Sequence, residues 1–311
     1  MIRRALCVLT LVLWTTCAEQ PARAADTEAV TARHDPELAI GVISSQPSGV
    51  ISKYQGLAHY LEDQLEKQGI ETVRVRVVPS LDRMAEALRA GNVDLFMDSF
   101  FSALLISELA DSTIVLRRWQ LGAAEYHSVI FTRAGSDIDS LEDLRGRIIA
   151  FESPFSTASY ILPKATLMAA GLSLERQFDV GSVVPDNRVG FLFSGDDRNT
   201  ATWVWRDRVD AGAINDIQFE ALPDAQRERL KVITETAPVP NQLVSFRKDL
   251  DPGLAGQLIE ILTDMESTEA GIDVLDGFDR TERFDLLPTA SQAELNQLEQ
   301  LTSFIHDDLR E

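Results

Sequence analysis

Hydroxyl side chains cluster at the predicted start of a helix near the middle of the chain. Ser156, Thr157 and Ser159 follow a strand pattern that ends at Phe151, and a helical pattern begins at Thr157. The first backbone N–H groups of a helix have no partner within it, and the helix dipole adds positive potential there. Converging hydroxyl and N–H groups suit an oxyanion. Ordinary N-capping explains the same residues, so this stretch alone leaves both interpretations open.

Residue patterns typical of catalysis do not occur in the sequence. The chain has no G-x-S-x-G nucleophile motif and no phosphate-binding P-loop. Its histidines are scattered, and no spacing of His, Cys, Asp and Glu matches a metal site. His127, in a predicted strand beside Tyr126, is expected to be a hydrogen-bonded structural residue. We therefore predict that the protein is not an enzyme and has neither catalytic residues nor a metal or other cofactor.

Short β-rich runs alternate with helical patterns along most of the chain. The first series has strands at 38–43, 72–78 and 93–97 and helices at 54–68, 81–90 and 100–110. After a further strand at 126–131, the second series has strands at 147–151, 180–184, 209–214 and 230–234 and helices at 141–144, 157–170 and 199–208. A strand at 242–246 and helices at 252–265 and 292–309 complete the chain, while 122–125 and 184–197 read as loops. Such alternation predicts parallel sheets with helices on their faces.

The order of these elements predicts two lobes, each with a mainly parallel sheet flanked by helices. Residues 36–131 and 239–311 form the first lobe, and residues 132–238 form a second lobe inserted into it. Two hinge crossovers are expected, near Phe131-Thr132 and near Pro238–Asn241. The fold class is therefore α/β.

The N-terminus has the pattern of a secretory signal peptide. Arg3 and Arg4 precede an apolar run from Ala5 to Trp14, and an A-x-A site predicts cleavage after Ala24. The run is shorter than the about 20 residues that a membrane span needs. A buried N-terminal helix is the alternative, but it would place two arginines in a core. We expect export to the periplasm, where the protein is not inserted into the membrane.

Both cysteines lie in the predicted leader. If Cys17 were the first mature residue, the protein would be a lipoprotein, but Trp14-Thr15-Thr16 fits such a site poorly. Cleavage after Ala24 instead leaves a mature chain without cysteine, and so without a disulfide or a thiol nucleophile.

The charge of the chain limits the partners it can have. The formal net charge is −20, and removing a leader with three arginines and one glutamate makes it −22. Such acidity argues against binding to nucleic acid or to anionic membranes. It does not exclude an anionic ligand, because a pocket can use backbone N–H groups. The 287 residues left after cleavage fit two domains.

A family resemblance is carried by an ordered set of motifs. The run F-E-S-P-F-S-T-A-S-Y-I-L-P, at 151–163, resembles the D-P-x-S-T-S-G-x-x-x-P signature of the phosphate/phosphite/phosphonate-binding proteins of ABC transporters. Further stretches resemble the same family in the same order: Ala87–Asp94, Tyr126–Ile130, Val209–Asn215, Pro238–Asn241 and Arg247–Leu250. The resemblance covers nearly all of residues 38–265.

The resemblance implies a two-lobed periplasmic binding fold with a ligand in the cleft between hinged lobes. It implies that the signature hydroxyls face an oxyanion, although the third of them falls on Ala158 rather than on Ser159. Asn215 ends a predicted strand, where such folds place ligand contacts. The predicted ligand-binding residues are Ser156, Thr157, Ser159, Asn215, Ser99, Asp98, Tyr126 and Asp197.

Three departures from the family pattern concern the ligand. Leu81 stands where the family often has an aromatic residue, Asp98 where it often has a small one, and Asp197 lies in the segment where it often has a histidine. Carboxylates near an oxyanion repel it. Either they point away, or they meet an ammonium group on the ligand, or the ligand is not a phosphonate. Arg198 is a candidate source of positive charge, although it is expected to face solvent.

These observations favour a monomeric solute-binding protein that presents phosphonate, phosphite or phosphate to an ABC transporter permease. The alternative keeps the fold but changes the ligand, to a sulfonate, a zwitterion or a cationic amine, or changes the partner, to a periplasmic sensor domain. An exported enzyme on the same scaffold would need a nucleophile–base pair or a metal, and the sequence offers neither pattern.

Overall fold

The computed structural model describes residues 36–44 and 47–288. The predicted leader, its two cysteines and the predicted helix at 292–309 lie outside the described residues. None of the described helices combines the length and the apolar character that a membrane span requires.

Strands and helices alternate through the described chain. The strands are β1 (Glu37–Ile43), β2 (Thr72–Val78), β3 (Leu95–Ser99), β4 (Thr113–Arg118), β5 (Glu125–Tyr126), β6 (Ser128–Arg133), β7 (Ile148–Phe151), β8 (Leu174–Arg176), β9 (Val189–Phe193), β10 (Ala211–Asn215), β11 (Leu230–Glu235), β12 (Val239–Pro240), β13 (Gln242–Phe246) and β14 (Phe284–Leu286). The α-helices are α1 (Pro47–Leu65), α2 (Leu81–Arg89), α3 (Phe100–Ala110), α4 (Leu162–Ala169), α5 (Asp197–Trp205), α6 (Asp216–Glu220), α7 (Asp224–Arg227), α8 (Pro252–Asp264) and α9 (Glu269–Gly277). A π-helical turn, Thr157–Ile161, precedes α4.

The strands form two six-stranded sheets. The first has the order β14-β4-β13-β3-β1-β2, and the second the order β11-β6-β10-β7-β9-β8. Strands β3, β1 and β2 are parallel, as are β10, β7, β9 and β8, and the antiparallel pairs lie at the other end of each sheet. Both ends of the described chain contribute to the first sheet, while the middle of the chain forms the second. The predicted α/β class is confirmed.

The chain passes between the sheets at a short two-stranded ladder. β5 pairs antiparallel with β12, so that Tyr126 faces Val239. The predicted crossover near Pro238–Asn241 coincides with β12. The one predicted near Phe131-Thr132 falls inside β6 and is wrong, because both residues pair with β10 and β11 of the second sheet. The predicted lobe boundaries stay a prediction.

The sequence prediction is wrong for one strand and for the loop that follows it. Residues 180–184 form no strand, and Val183 is 94% exposed. The stretch predicted as a loop at 184–197 contains β9, which pairs in parallel with β7 and β8. Its Val-Gly-Phe-Leu-Phe run is buried on both faces of the sheet, so it lacks the alternation by which a half-buried strand is recognised.

Helices cover the sheets with their apolar faces. Leu57 and Leu61 lie one turn apart on α1, Leu258 and Leu262 lie one turn apart on α8, and all four are fully buried against the first sheet. This i, i+4 spacing places each pair on one side of its helix.

One apolar cluster joins the layers of the two sheets. Phe96 of β3 and Phe101 of α3 belong to it together with Phe151 of β7 and Tyr160 of the π-turn. α3 supplies much of this contact, because it is apolar on all sides and buried along most of its length. The layers therefore meet through a dry contact beside the ends of β3 and β7.

We expect Gly212→Ala to destabilise the protein by about 1–3 kcal/mol, because the added methyl group overpacks the second sheet. An added Cβ would lie 2.8 Å from Thr200 Cγ2 and 3.0 Å from Phe131 Cζ. Urea unfolding of the mature protein measures the change. Gly256→Ala is the control: a Cβ there meets nothing within 4 Å, in the interior of α8. It should raise stability by up to about 1 kcal/mol. Equal effects of the two changes would contradict the packing argument.

Candidate functional site

A cavity of about 490 Å³ lies between the strand ends of the two sheets, a volume within the usual range for small-molecule sites. β3 and β13 approach it from the first sheet, and β7 and β10 from the second. The structure brings all the predicted ligand-binding residues to its wall: Asp98, Ser99, Tyr126, Ser156, Thr157, Ser159, Asp197 and Asn215. Their contact with a ligand stays a prediction.

The π-turn between Thr157 and Ile161 shapes one side of the cavity. Pro163 has no N–H to donate, so it cannot supply the bond that the carbonyl of Ser159, four residues earlier, would accept in a regular α-helix. That carbonyl accepts instead from Glu152 N at 3.2 Å, while Ile161 N donates five residues back, to Ser156 O. The helix predicted at 157–170 is thus a π-turn followed by α4, and its start is bonded to the end of β7.

The three signature hydroxyls have different partners within the protein. Ser156 Oγ accepts from Ser159 N at 3.2 Å and so caps the turn. Thr157 Oγ1 accepts from Phe101 N of α3 at 3.0 Å, which connects the second sheet's layer to the first. Ser159 Oγ donates to Asp197 Oδ1 at 2.8 Å. The capping interpretation therefore holds for Ser156, and all three residues also line the cavity.

Three partly buried carboxyl groups share the cavity wall. Burial raises the pKa of Asp98 and that of Glu152 above their ordinary values. Burial, followed by the nearby Glu152 carboxylate, raises the pKa of Asp197 to about 7. No lysine, arginine or histidine is among the described residues that line this cavity. Arg198, considered above as a source of positive charge, is exposed and does not line it.

Hydrogen bonds to the side-chain oxygens fix the orientations of two amide groups. Asn215 Oδ1 accepts from Gln218 N at 2.8 Å and caps α6. Gln242 Oε1 accepts from Arg118 Nη1 at 2.7 Å. Both residues line the cavity, and each leaves its NH₂ group as a neutral donor there.

Arg118 lies behind the cavity wall and is 1% exposed. Its guanidinium stacks 3.6 Å from the ring centroid of Phe278 and also donates to Thr281 Oγ1 and Gln242 Oε1. It lies 3.5 Å from Asp279 Oδ2. This buried cation orients Gln242, while its other partners, Thr281, Phe278 and Asp279, do not line the cavity.

Sequence reasoning missed several residues of the wall. Glu152 stands inside the signature stretch but was not singled out, and its neighbours Ser153 and Phe155 also line the cavity. The position of Glu152 directly after a buried strand could have indicated that it belongs to the site. Gln242 offers no such signal, because its amide is oriented by a residue 124 positions away. Leu81, noted above as a departure from the family pattern, is also part of the wall.

We expect Asp197→Asn to stabilise the ligand-free protein at pH 8 more than at pH 4.5. Because its pKa rises from 3.8 to about 7 on folding, the ionised form opposes folding. This cost is absent below about pH 4, grows as the pH rises, and is complete above about pH 7. Thermal melts should show a gain at pH 8 larger by at least about 2–4 °C, or about 1 kcal/mol.

Asp196→Asn is the matched control for this change. Asp196 caps α5 by accepting from Arg198 N and Asn199 N, and asparagine caps a helix about as well. Its effect on the melting temperature should be small at both pH values. A gain for Asp197→Asn that did not depend on pH would contradict the assigned pKa.

Comparisons with known proteins identify the fold and the family of the chain. A family model described as ABC transporter, phosphonate, periplasmic substrate-binding protein matches residues 40–289. XAC2383 from Xanthomonas citri, solved bound to chloride ion, is 24% identical, with a TM-score of 0.83 over 88% of this chain and 100% of that one. The same protein bound to ATP gives a TM-score of 0.82 over 88% of this chain and 99% of that one, again at 24% identity.

PhnD1 from Prochlorococcus marinus in complex with methylphosphonate is 19% identical and covers 88% of this chain and 99% of that one, with a TM-score of 0.63. At these identities the solved structures show the fold, which is that of two-lobed periplasmic binding proteins. The family model spans most of the chain, so it confirms the resemblance carried by the motifs. The protein therefore belongs to the family of periplasmic substrate-binding proteins of phosphonate ABC transporters.

Proposed function

We propose that the protein captures a small solute in the cavity between its two sheets and releases it, unchanged, to a transmembrane permease. The observation that carries the proposal is the convergence of strand ends from both sheets, with their hydroxyl, amide and carboxyl groups, on one cavity. Ligands of open α/β sheets bind at the carboxyl ends of strands, and family membership supplies the transport role. The chain acts as a monomer in the periplasm after its leader is cleaved at Ala24.

The absence of catalysis is part of this proposal. The nearest approach to a nucleophile–base pair is Ser159 beside Asp197, at 2.8 Å. Ser159 is only 1% exposed, so its hydroxyl group is poorly placed to attack a bound molecule. Among the described residues, no group of three or more His, Cys, Asp and Glu is arranged to hold a metal ion. Binding and release need none of these groups.

The ligand carries an oxyanion, as in the complex of PhnD1 with methylphosphonate. The available donors are neutral: the NH₂ groups of Asn215 and Gln242, and the first N–H groups of the π-turn, at Thr157 and Ala158. Neutral N–H donors in fixed orientations can bind an anion even though no lysine or arginine side chain lines the described cavity wall. Such donors suit a monoanion better than a dianion, because the cavity already contains carboxyl groups.

A panel of phosphonates, phosphite, phosphate, sulfonates and amines tests the proposal on the mature protein. At least one compound should bind saturably, and at 100 times its Kd it should add about 2.7 kcal/mol to the free energy of unfolding. The bound compound should be recovered chemically unchanged, as judged by NMR. Consumption of the compound would establish an enzyme and overturn the proposal.

Gln242→Glu should weaken binding of the best oxyanion at least about tenfold. The change replaces the NH₂ donor by an oxygen while keeping the oxygen that accepts from Arg118, and one charged hydrogen bond is worth about 1.5–3 kcal/mol. Isothermal titration measures the affinity. Gln64→Glu, the same substitution on the exposed side of α1, is the control. Equal affinities for both variants would remove Gln242 from the site.

A further inference from the structure

Arg118 is a buried cation directly behind the cavity wall, and each of its three side-chain nitrogens has its own acceptor. Nε donates to Thr281 Oγ1 at 2.9 Å, Nη1 to Gln242 Oε1 at 2.7 Å, and Nη2 to the Phe278 carbonyl at 3.0 Å. The side chain is 1% exposed. Because a guanidinium is planar and its donors form a rigid fork, these three bonds together fix its position and its orientation.

The turn between α9 and β14 is shaped around this guanidinium. Its residues Asp279 and Arg280 both have positive φ angles, 52° and 48°, which residues other than glycine adopt rarely. Asp279 Oδ2 lies 3.5 Å from Arg118 Nη2, and the guanidinium stacks 3.6 Å from the ring centroid of Phe278. Backbone strain persists only where the surroundings hold it, and it is frequent at binding sites. The turn therefore holds Arg118 in place at a cost to its own backbone.

The bond to Arg118 decides which atom of the Gln242 amide faces the cavity. The oxygen and the nitrogen of an amide are close in size, so an amide without a fixed partner can present either one. Arg118 has only donors, so the amide oxygen is directed to it and the NH₂ group is left for the cavity. The bond also polarises the amide, because chains of hydrogen bonds strengthen one another. An oxyanion thus meets a donor where a reversed amide would present a repelling oxygen.

The carboxylate beside Arg118 does not cancel its charge. Asp279 also forms an ion pair with Lys53 at 2.7 Å, so the three groups together carry one positive charge. Water screens a buried charge much less than an exposed one. Burial raises the pKa of Asp98 on the cavity wall, and the charge of Arg118 counteracts that rise. The field of Arg118 therefore reaches the cavity although its side chain does not line it.

We infer that Arg118 is a positioning residue for ligand binding, which makes its part of the site select an anion by holding the Gln242 amide with the NH₂ group toward the cavity. The inference rests on the proposed function, because that function assigns the cavity to a ligand with an oxyanion. Arg118 does not contact the ligand. Its effect on affinity is transmitted through Gln242, whereas its effect on stability comes from all of its partners.

A double-mutant cycle of Arg118→Met and Gln242→Ala tests the inference. Methylphosphonate, phosphite and methanesulfonate are titrated calorimetrically into the mature protein, and the cycle uses the one that binds the parent most tightly. Each single variant should lower its affinity at least about tenfold, but Arg118→Met should cost less than about twofold in the Gln242→Ala background. Losses that multiply in the double variant, or an unchanged affinity in Arg118→Met, would overturn the inference and leave the proposed function intact. If no compound of the wider panel bound the parent, both would fail.

Leu258→Ala is the control for lost stability. It removes a fully buried side chain of α8 that is not part of the cavity wall. It should lower the melting temperature and leave the affinity within about twofold of the parent. A loss of affinity as large as that of Arg118→Met would attribute the effect to stability and so overturn the inference.

Gln242→Asn replaces Arg118→Met if circular dichroism shows that the arginine variant does not fold. The shorter side chain keeps the buried cation but draws the amide oxygen back from Arg118 Nη1, which it reaches at 2.7 Å in the parent. The freed amide should bind the same oxyanion at least about tenfold more weakly. Parent affinity in Gln242→Asn would show that the anchoring bond does not matter, and the inference would be wrong.

Discussion

The hydrogen bond from Glu152 N to Ser159 O constrains one part of the cavity wall, where the second sheet meets the π-turn. Ser159 O accepts from Glu152 N where a regular α-helix would have a bond from residue 163, which is a proline, and the end of β7 is held against the start of the π-turn. Of the two residues that this bond joins, Glu152 lies beside Ser156, and Ser159 donates to Asp197 of α5. Wide helical turns of this kind occur often at functional sites, and here the turn joins strand, helix and carboxyl groups into one surface.

The acidic groups of the cavity oppose the stability of the folded chain. A carboxyl whose pKa is raised on folding lowers stability at neutral pH, and burial is the first cause at Asp98, Glu152 and Asp197 alike. Binding sites commonly keep groups that a purely structural role would exclude. By contrast, the buried Arg118 is held by a carboxylate, an amide, a hydroxyl and an aromatic ring.

Local pattern was enough to predict the elements whose ends face the cavity. The bounds of β2, α3 and β13 agree with the sequence prediction; β2 alternates with period two, and the apolar run of α3 is too long for a strand. The predicted binding residues could be assigned to the cavity from the family motifs and from the rule that ligands bind at the carboxyl ends of strands. The short strands β9 and β14 were missed, since their pairing with distant strands, and not their own pattern, decides their conformation.

The orientations of side chains could not be read from the sequence for the same reason. Gln242 depends on Arg118, and Asn215 depends on the helix that follows it. Asp197 was singled out as a departure from the family pattern, but its bond to Ser159 is formed across 38 residues. The sequence therefore predicted part of the cavity wall, while the rest of the wall and the direction of each donor required the structure.

The hydrogen bond from Phe101 N to Thr157 Oγ1 has a kinetic consequence. It lies between the layers of the two sheets, next to the apolar cluster that they share. If the layers were to separate when a solute enters, this bond would break and the phenylalanine rings of the cluster would be exposed to water. In such an opening the contact between the layers, and not the ligand alone, would set how fast a solute enters and leaves.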